Sequence, residues 1–290
     1  MLSTLTPPCP LSTTTLISAD GEHASLHDFG GQGPDLLLSH GNGLNAGMWR
    51  AVLPHLLPHV HCYGLDLRGH GANRPTRPDY DIDRERFAED VRAAIDELGG
   101  RPLFYAAHSL GGASGLQAAL RWPELFRALW LFEPVMRPDS VPSFEPPSFL
   151  IEASRRRRME FDSVDAALAN FAAKPPFNTA DPEALRGYVE LGMRELPDGR
   201  VRLTCEGADE ARVFGSGTPV DFSKLAVITC PAVIGRGEAT ADAHAIPAAV
   251  AKPIAEALPN GRLGEFPGLT HFGPMEDGAV IAASILALFT

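Results

Sequence analysis

The sequence predicts an α/β fold in which a mostly parallel sheet is covered by helices on both faces. Short apolar runs alternate along the chain with segments whose apolar residues recur at helical spacing. The strand-like runs are apolar throughout, as expected for parallel strands that are buried on both faces. The length of 290 residues, with 44% hydrophobic and 21% charged residues, is normal for such a domain carrying one insertion.

Most of the alternation lies in the first 135 residues. The helix predicted over residues 84–98 places Phe87, Val91 and Ile95 on one face. A second helix is expected from Gly112 toward Arg121. The strands predicted around these helices cover residues 36–38, 60–67, 103–107 and 128–132. Helices between successive strands favour parallel pairing.

The pattern changes between about residues 137 and 222. Prolines cluster at positions 138, 142, 146 and 147, and a charged, helix-like stretch with the run Arg155–Arg158 follows. Further helical signal covers residues 163–173 and 182–195, and no buried strand is expected, so we interpret this part as a helical insertion. The α/β alternation then resumes, with strands expected at 227–228, 232–234 and 263–266 and helices at 247–258 and 277–289.

Charge, cysteine content and hydropathy argue against several classes of protein. The net charge of −11 argues against nucleic-acid binding, which needs a basic face. The four cysteines form no C-x-x-C pair, and free thiols at Cys62 and Cys230 suit a reducing, cytoplasmic location. No apolar run approaches the ~20 residues that a membrane span needs. The N-terminus also lacks a signal-peptide pattern.

Residues 107–112, Ala-His-Ser-Leu-Gly-Gly, lie between an apolar strand and a predicted helix. This is the context of a nucleophile elbow, a strained turn that raises a serine hydroxyl above the edge of the sheet. The residues two positions to either side of Ser109 must be small, and Ala107 and Gly111 satisfy this requirement. The same residues would also suit a serine that only caps the helix.

Two glycine-containing loops supply the other groups that a nucleophilic serine needs. In the loop 39–43, Ser-His-Gly-Asn-Gly, glycines let the backbone approach a ligand. The amides of Asn42 and Leu110 are the natural oxyanion-hole pair, and a glycine-rich loop without a ligand is the alternative. His271 lies on the loop 268–272 between the last strand and the last helix, where a general base is expected.

Residues 64–71 are interpreted as structural rather than catalytic. Asp66 and Arg68 are expected to bond loop backbone, and His70 to pack within the loop. His108 neighbours the serine but is expected to point the other way.

Four motifs together resemble those of the α/β-hydrolase family: HGNG at 40–43, DLRGHG at 66–71, AHSLGG at 107–112 and THFGPMED at 270–277. The chain departs from the family's G-x-S-x-G at Ala107, which is nearly as small as glycine. The resemblance implies an esterase-like serine hydrolase of the α/β-hydrolase fold, with a helical cap inserted after the sixth strand. The expected domains are a core of residues 1–136 and 223–290 and a cap of residues 137–222.

Three carboxylates are candidates for the acid that pairs with His271. Family members most often carry an Asp a few residues after the strand at 232–236; here Thr240 occupies that place, and Glu238 and Asp242 are the nearby alternatives. Some relatives, haloalkane dehalogenases among them, place the acid after the preceding core strand, which matches Glu133. Because a glutamate ending an apolar strand needs a partner, Glu133 is the expected acid. A structural carboxylate bonded to the cap's backbone is the alternative role for Glu133.

The predicted function is hydrolysis of a small, apolar carboxylic ester through an acyl-enzyme intermediate, without a metal or organic cofactor. Dehalogenases and epoxide hydrolases of this family attack with a carboxylate, so Ser109 argues against both activities. A C–C bond, a lactone or an amide could be cleaved by the same residues, and a non-catalytic ligand receptor or scaffold is the alternative from another class. A homodimer is the candidate assembly.

Two features of the insertion bear on the substrate. The aromatic residues Phe149, Phe161, Phe171 and Phe177 are candidates for the lining of an apolar pocket. The run Arg155–Arg158 is interpreted as a solvated helix face, with attraction of an anionic substrate as the alternative.

Overall fold

The computed structural model describes residues 9–139, 148–217, 219–238 and 245–289. The strands within these residues are β1 (Ser12–Ile17), β2 (His23–Gly31), β3 (Asp35–Ser39), β4 (His61–Asp66), β5 (Leu103–His108), β6 (Phe126–Phe132), β7 (Glu160–Phe161), β8 (Met193–Glu195), β9 (Val201–Leu203), β10 (Ala232–Gly237) and β11 (Gly261–Phe266). Eight of them form one sheet in the order β1-β2-β4-β3-β5-β6-β10-β11.

The α-helices include the predicted ones. They are α1 (Leu53–Leu56), α2 (Arg84–Glu97), α3 (Leu110–Arg121), α4 (Ser148–Arg155), α5 (Val164–Ala172), α6 (Pro182–Leu191), α7 (Gly207–Gly215), α8 (Ala245–Ala257), α9 (Gly273–Glu276) and α10 (Gly278–Leu286). Strands and helices therefore alternate as the sequence predicts, and the segment that holds α4 to α7 follows the sixth strand. Helices α1, α7 and α9 are additions to the predicted ones.

The central and C-terminal part of the sheet is parallel, and its N-terminal edge is antiparallel. Strands β4, β3, β5, β6, β10 and β11 pair in parallel, whereas β2 pairs antiparallel with both β1 and β4. The hairpin of β1 and β2 is an addition to the strands that the sequence predicts. Most β1 side chains are exposed, so this strand lacks the continuous apolar run that marks the central ones.

Alternate residues of the central strands pack into two cores, one on each face of the sheet. From β6, Leu129 and Leu131 pack with side chains of α2, α3 and α8. Trp130 and Phe132 face the opposite side, where Trp49 and the apolar face of α10 cover them. Burial on both faces explains why the strands are apolar at every position.

The segment between β6 and β10 holds α4 to α7 and also a small antiparallel sheet in the order β7-β9-β8. The expectation that this segment has no buried strand is wrong for β9, whose Val201 and Leu203 are buried, and the helix predicted over 182–195 ends at Leu191. Strands of two or three residues are too short to show a period of two in the sequence. Pro138 and Val220 form a bridge that brings the two ends of the segment together, while its extent as a cap domain, 137–222, stays a prediction.

Two further expectations differ from the structure. Residues 227–228 are not a strand, because the 3-10 helix Phe222–Val227 occupies that place. Arg155 ends α4, so the other three residues of the arginine run follow the helix instead of forming one of its faces.

Pro142, Pro146 and Pro147 lie outside the described residues. Among the helices in the described ranges, none has the length and apolarity needed to span a bilayer.

The sheet register sets the geometry of the site. His108 at the end of β5 pairs with Phe132 at the end of β6, and Phe132 pairs with Gly235 of β10. Ser109 and Glu133 therefore leave neighbouring parallel strands at the same edge of the sheet. This edge, at the carboxyl ends of the strands, is where α/β sheets commonly form ligand sites.

Candidate active site

Ser109 occupies a strained turn between β5 and α3. Its φ angle of 51° lies in the left-handed region, and its amide donates to the carbonyl oxygen of Phe132 at 2.9 Å. A Cβ atom at Gly111 would lie 2.8 Å from the carbonyl oxygen of His40, so the second small residue of the motif is sterically required. The predicted elbow thus has the backbone that presents the Ser109 side chain above the sheet.

His271 lies on the loop after β11, with its imidazole beside the serine. Its Nε2 atom is 3.2 Å from the Oγ atom of Ser109, and both residues are less than a tenth exposed. His108 donates from Nε2 to the backbone carbonyl of His271 at 2.8 Å. This bond fixes the loop that carries the imidazole, and the expected orientation of His108 away from Ser109 stays a prediction.

Glu133 is the acid that the structure brings to His271. Its Oε2 atom lies 2.6 Å from the Nδ1 atom of His271, and its Oε1 atom accepts a hydrogen bond from the Gly237 amide at 2.9 Å. Glu133 is 1% exposed, with a left-handed φ angle of 44°. Its backbone is thus turned so that the carboxylate contacts both the imidazole and β10.

The two alternative acids have different outcomes. Glu238 is exposed and accepts from the amide of Gly268 at 3.0 Å. It makes no hydrogen bond to His271 among the described residues. Asp242 lies outside the described residues. The geometry therefore brings together Ser109, His271 and Glu133.

The loop carrying Asn42 is held close to the serine. A Cβ atom at Gly41 would lie 3.3 Å from that of Ser109. The Asn42 side chain donates to the carbonyl of Glu210 at 3.0 Å, and its Oδ1 atom lies 3.2 Å from Nε2 of His70. Within the part of the chain that the structure describes, the backbone amides of Asn42 and Leu110 have no hydrogen-bond acceptor. For Leu110 this follows from its place in the first turn of α3.

His40 connects the loop that carries Asn42 to the segment after β4. It is fully buried, and burial, reinforced by neighbouring His70, lowers its pKa to about 3. The neutral ring bonds the Gly41 carbonyl through Nδ1 at 2.8 Å and accepts from the Leu67 amide at Nε2 at 3.1 Å. His40 thus braces the candidate oxyanion loop without carrying a charge.

The residues of the 64–71 motif have structural contacts, as expected. Asp66 accepts from the backbone amides of Ala46 and Ala72, and His70 bonds the Arg68 carbonyl at 2.9 Å. Arg68 differs from the expectation, because its main partners are the carboxylates of Asp90 and Asp20 rather than loop backbone.

A cavity of about 500 Å³ opens above Ser109 and His271, between the core and the segment that follows β6. Phe171 and Phe177 line it as predicted, whereas Phe161 is buried behind Phe171 and Phe149 is exposed on the surface. Arg84 and Phe272 are among the lining residues that the sequence did not indicate. Phe272 follows the candidate base directly, but Arg84 gives no signal beyond its place at the start of an amphipathic helix.

The alpha/beta hydrolase family model matches residues 36–284 of this chain. The chain belongs to the α/β-hydrolase family. Among its relatives is a pimeloyl-[acyl-carrier protein] methyl ester esterase of Nitrosospira multiformis, 26% identical over 224 residues, covering 74% of this chain and 80% of the relative. Another is a 2-(acetamidomethylene)succinate hydrolase of Mesorhizobium japonicum, 24% identical and covering 83% of each chain.

Solved structures of other α/β hydrolases share the fold. The crystal structure of E-2-(acetamidomethylene)succinate hydrolase superposes with a TM-score of 0.73 at 21% identity, covering 96% of this chain and 98% of the other. A thermophilic esterase from Thermogutta terrifontis gives a TM-score of 0.70 at 19% identity, with 96% and 98% covered. The family and fold inferred from the four motifs are confirmed.

Proposed function

We propose that this α/β hydrolase is a serine esterase that cleaves a small-molecule carboxylic ester. The observation that carries the proposal is the hydrogen-bonded chain from Ser109 Oγ through the His271 imidazole to the Glu133 carboxylate, with distances of 3.2 and 2.6 Å. A nucleophile, a base within hydrogen-bond reach and a third group that orients the base are the signature of covalent catalysis. Relatives that are named esterases support the ester bond as the target.

In the first half of the reaction, Ser109 Oγ attacks the ester carbonyl while its proton moves to Nε2 of His271. The developing oxyanion accepts hydrogen bonds from the amides of Asn42 and Leu110, which have no acceptor within the described chain. The alcohol then leaves with the proton from Nε2, and the acyl group remains on Ser109.

In the second half, water replaces the alcohol. His271 takes a proton from the water as it attacks the acyl-enzyme, and returns the proton to Ser109 when the carboxylic acid departs. Glu133 stays ionised throughout. Its hydrogen bond from Nδ1–H keeps the proton on that nitrogen, leaves Nε2 free to accept, and stabilises the imidazolium when it forms.

A fluorophosphonate probe tests the nucleophile and separates the enzyme from a non-catalytic receptor. We expect one adduct per folded chain, located by mass spectrometry on Ser109 and lost in Ser109→Ala. Ser223→Ala removes an exposed serine from the 3-10 helix at 222–227 and serves as the matched control, expected to label fully. A folded wild-type sample without an adduct favours the receptor, and labelling at another serine contradicts the assignment of Ser109.

A panel of substrates tests the bond. Para-nitrophenyl and alkyl esters should be turned over faster than a lactone, an amide or a cleavable C–C bond presented at the same concentration. If one of these other bonds is cleaved and no ester is hydrolysed, the esterase proposal is wrong. The same three residues would then act on that other bond. Cytoplasmic location, a homodimer and the apolar character of the ester remain predictions.

A further inference from the structure

The cavity above Ser109 is basic although the chain as a whole is acidic. Among the residues that line it, Arg84, Arg157, Arg158 and Lys174 are cationic and Glu210 is anionic. The net charge of the whole chain is −11. A cavity whose charge opposes that of the protein concentrates ligands of the opposite sign, so this lining favours an anionic ligand.

Three of the four cations have partners or are hydrated. Arg157 forms an ion pair with Glu210 and donates to the hydroxyl oxygen of Tyr188 at 2.7 Å. Arg158 is exposed, lies over the ring of Phe161 and donates to a backbone carbonyl. Lys174 is exposed at the rim. Their charges are either compensated or screened by water.

Arg84 differs from these three. Its guanidinium is partly buried in the cavity wall, donates to the carbonyl oxygen of Val135, and forms no ion pair with a carboxylate within the described ranges. Burial, together with the nearby cation Arg137, lowers the pKa of Arg84 to about 10, so the group stays charged at neutral pH. Burying a cation beside a like charge raises the free energy of the folded state. A bound anion would offset that cost.

The position of Arg84 suits contact with the substrate. Val135, whose carbonyl accepts from Arg84, donates its own amide to the carbonyl oxygen of Ser109 at 3.3 Å. A Cβ atom at Gly217 would lie 3.0 Å from both Nε and Nη2 of Arg84, so a side chain at position 217 would crowd that edge of the guanidinium. The Nε–Nη2 edge is one that binds carboxylates through two parallel hydrogen bonds.

We propose that Arg84 binds a free carboxylate on the substrate, and that the preferred substrates are therefore small esters that also carry a carboxylate, in place of the apolar ester that the sequence predicts. The inference rests on the proposed esterase function and specifies its substrate class. It also assigns the anion-binding role to Arg84 of α2, rather than to the arginine run at 155–158. Cleavage itself is unchanged: the ester and water give an acid and an alcohol.

Kinetics with a matched substrate pair test the proposal. One member is the mono-para-nitrophenyl ester of glutaric acid, and the other is its neutral isostere, in which methyl groups replace the two carboxylate oxygens. We expect wild type to favour the anionic member in kcat/KM, and Arg84→Gln, which keeps an amide donor for Val135, to lower that preference roughly 10–100-fold. Arg84→Lys, which keeps the charge, should retain part of it.

The matched control is Arg86→Gln, two residues along α2. Arg86 pairs with Asp81 and Glu89 and does not line the cavity, so the preference should stay at the wild-type value. An unchanged preference in Arg84→Gln, or an equal fall in Arg86→Gln, would overturn the proposal.

Calorimetric binding to a Ser109→Ala background separates the two proposals, because it needs no hydrolysis. Monomethyl glutarate should bind more tightly than dimethyl glutarate, and Arg84→Gln in that background should remove the difference. If the difference is present while wild type hydrolyses no ester, the carboxylate site stands and the esterase proposal fails. If wild type hydrolyses neutral esters but both glutarates bind alike, the esterase stands and the carboxylate site fails.

Discussion

The Nδ1 atom of His271 and the Oε2 atom of Glu133 lie 2.6 Å apart, although the two residues are 138 positions apart in the sequence. The acid that contacts the imidazole therefore follows β6 rather than β10. Glu133 is held there by a second bond, from the amide of Gly237 to Oε1. The carboxylate is positioned by both neighbouring strands and has little freedom to leave the imidazole.

Glu133→Gln should lower kcat for ester hydrolysis by a factor on the order of 10²–10⁴. A neutral amide cannot stabilise the imidazolium, and it does not hold the proton on Nδ1 as a carboxylate does. Steady-state rates on a para-nitrophenyl ester would measure the loss, and circular dichroism would verify the fold. Glu238→Gln is the control, because its carboxylate binds the Gly268 amide. Wild-type turnover in Glu133→Gln would remove Glu133 from the mechanism.

Gly111→Ala should both destabilise the protein and reduce its activity. The added Cβ would lie 2.8 Å from the His40 carbonyl oxygen and 2.8 Å from Ser39 Oγ, so the elbow must shift. Overpacking of this kind costs on the order of 1–3 kcal/mol, which urea unfolding would measure. Gly215→Ala is the control, since its nearest neighbour is a methyl group 3.9 Å away. Equal stability of the two variants would contradict the tight packing of the elbow.

The sequence could predict Ser109, His271 and Glu133 as neighbours because each follows a recognisable strand, and parallel strands end at one edge of the sheet. Glu133 gave a further signal, since a carboxylate ending a fully apolar strand requires a partner. The central strands and their helices were predictable for the same reason. Their apolar runs and helical spacings can be recognised from the local sequence alone.

The remaining features depend on contacts between distant parts of the chain. Arg84 is one polar residue among several at the start of α2, and its place in the cavity is set by Val135 and Gly217. Strands β7 to β9 are defined by pairing across the insertion rather than by their own pattern. The contact of His108 with the His271 carbonyl likewise depends on how the last loop packs.

Arg68→Met should cost about 3–5 kcal/mol of unfolding free energy. Arg68 is fully buried and pairs with Asp90, itself fully buried, and with Asp20. Removing the guanidinium leaves the buried Asp90 carboxylate without its ion-pair partner, with only the Ser18 hydroxyl and the backbone amide of residue 68 as donors in the described part of the chain. Urea unfolding would measure the loss, and Arg68→Met/Asp90→Leu should recover part of it. Arg92→Met, in an exposed pair with Asp96, should cost at most about 1 kcal/mol, and a similar loss in both single variants would contradict this account.

The buried pair of His27 and Asp66 should make stability depend on pH. Their side chains lie 2.8 Å apart. Burial alone would lower the pKa of His27, but Asp66 raises it above 6.5; burial alone would raise the pKa of Asp66, but His27 holds it below 3.8. The His27 contribution is therefore complete below pH 6.5 and is lost as the pH rises through the folded pKa. The Asp66 contribution is complete above pH 3.8 and is lost as the pH falls through its own folded pKa.

The difference in unfolding free energy between wild type and His27→Gln should consequently be largest between pH 3.8 and 6.5 and should shrink on both sides of this window. Urea unfolding across the pH range would measure it. His55→Gln, which changes an exposed histidine on α1, should follow the wild-type profile. A difference that grows as the pH rises above 6.5 would mean that the pair is not held together by the charge of His27.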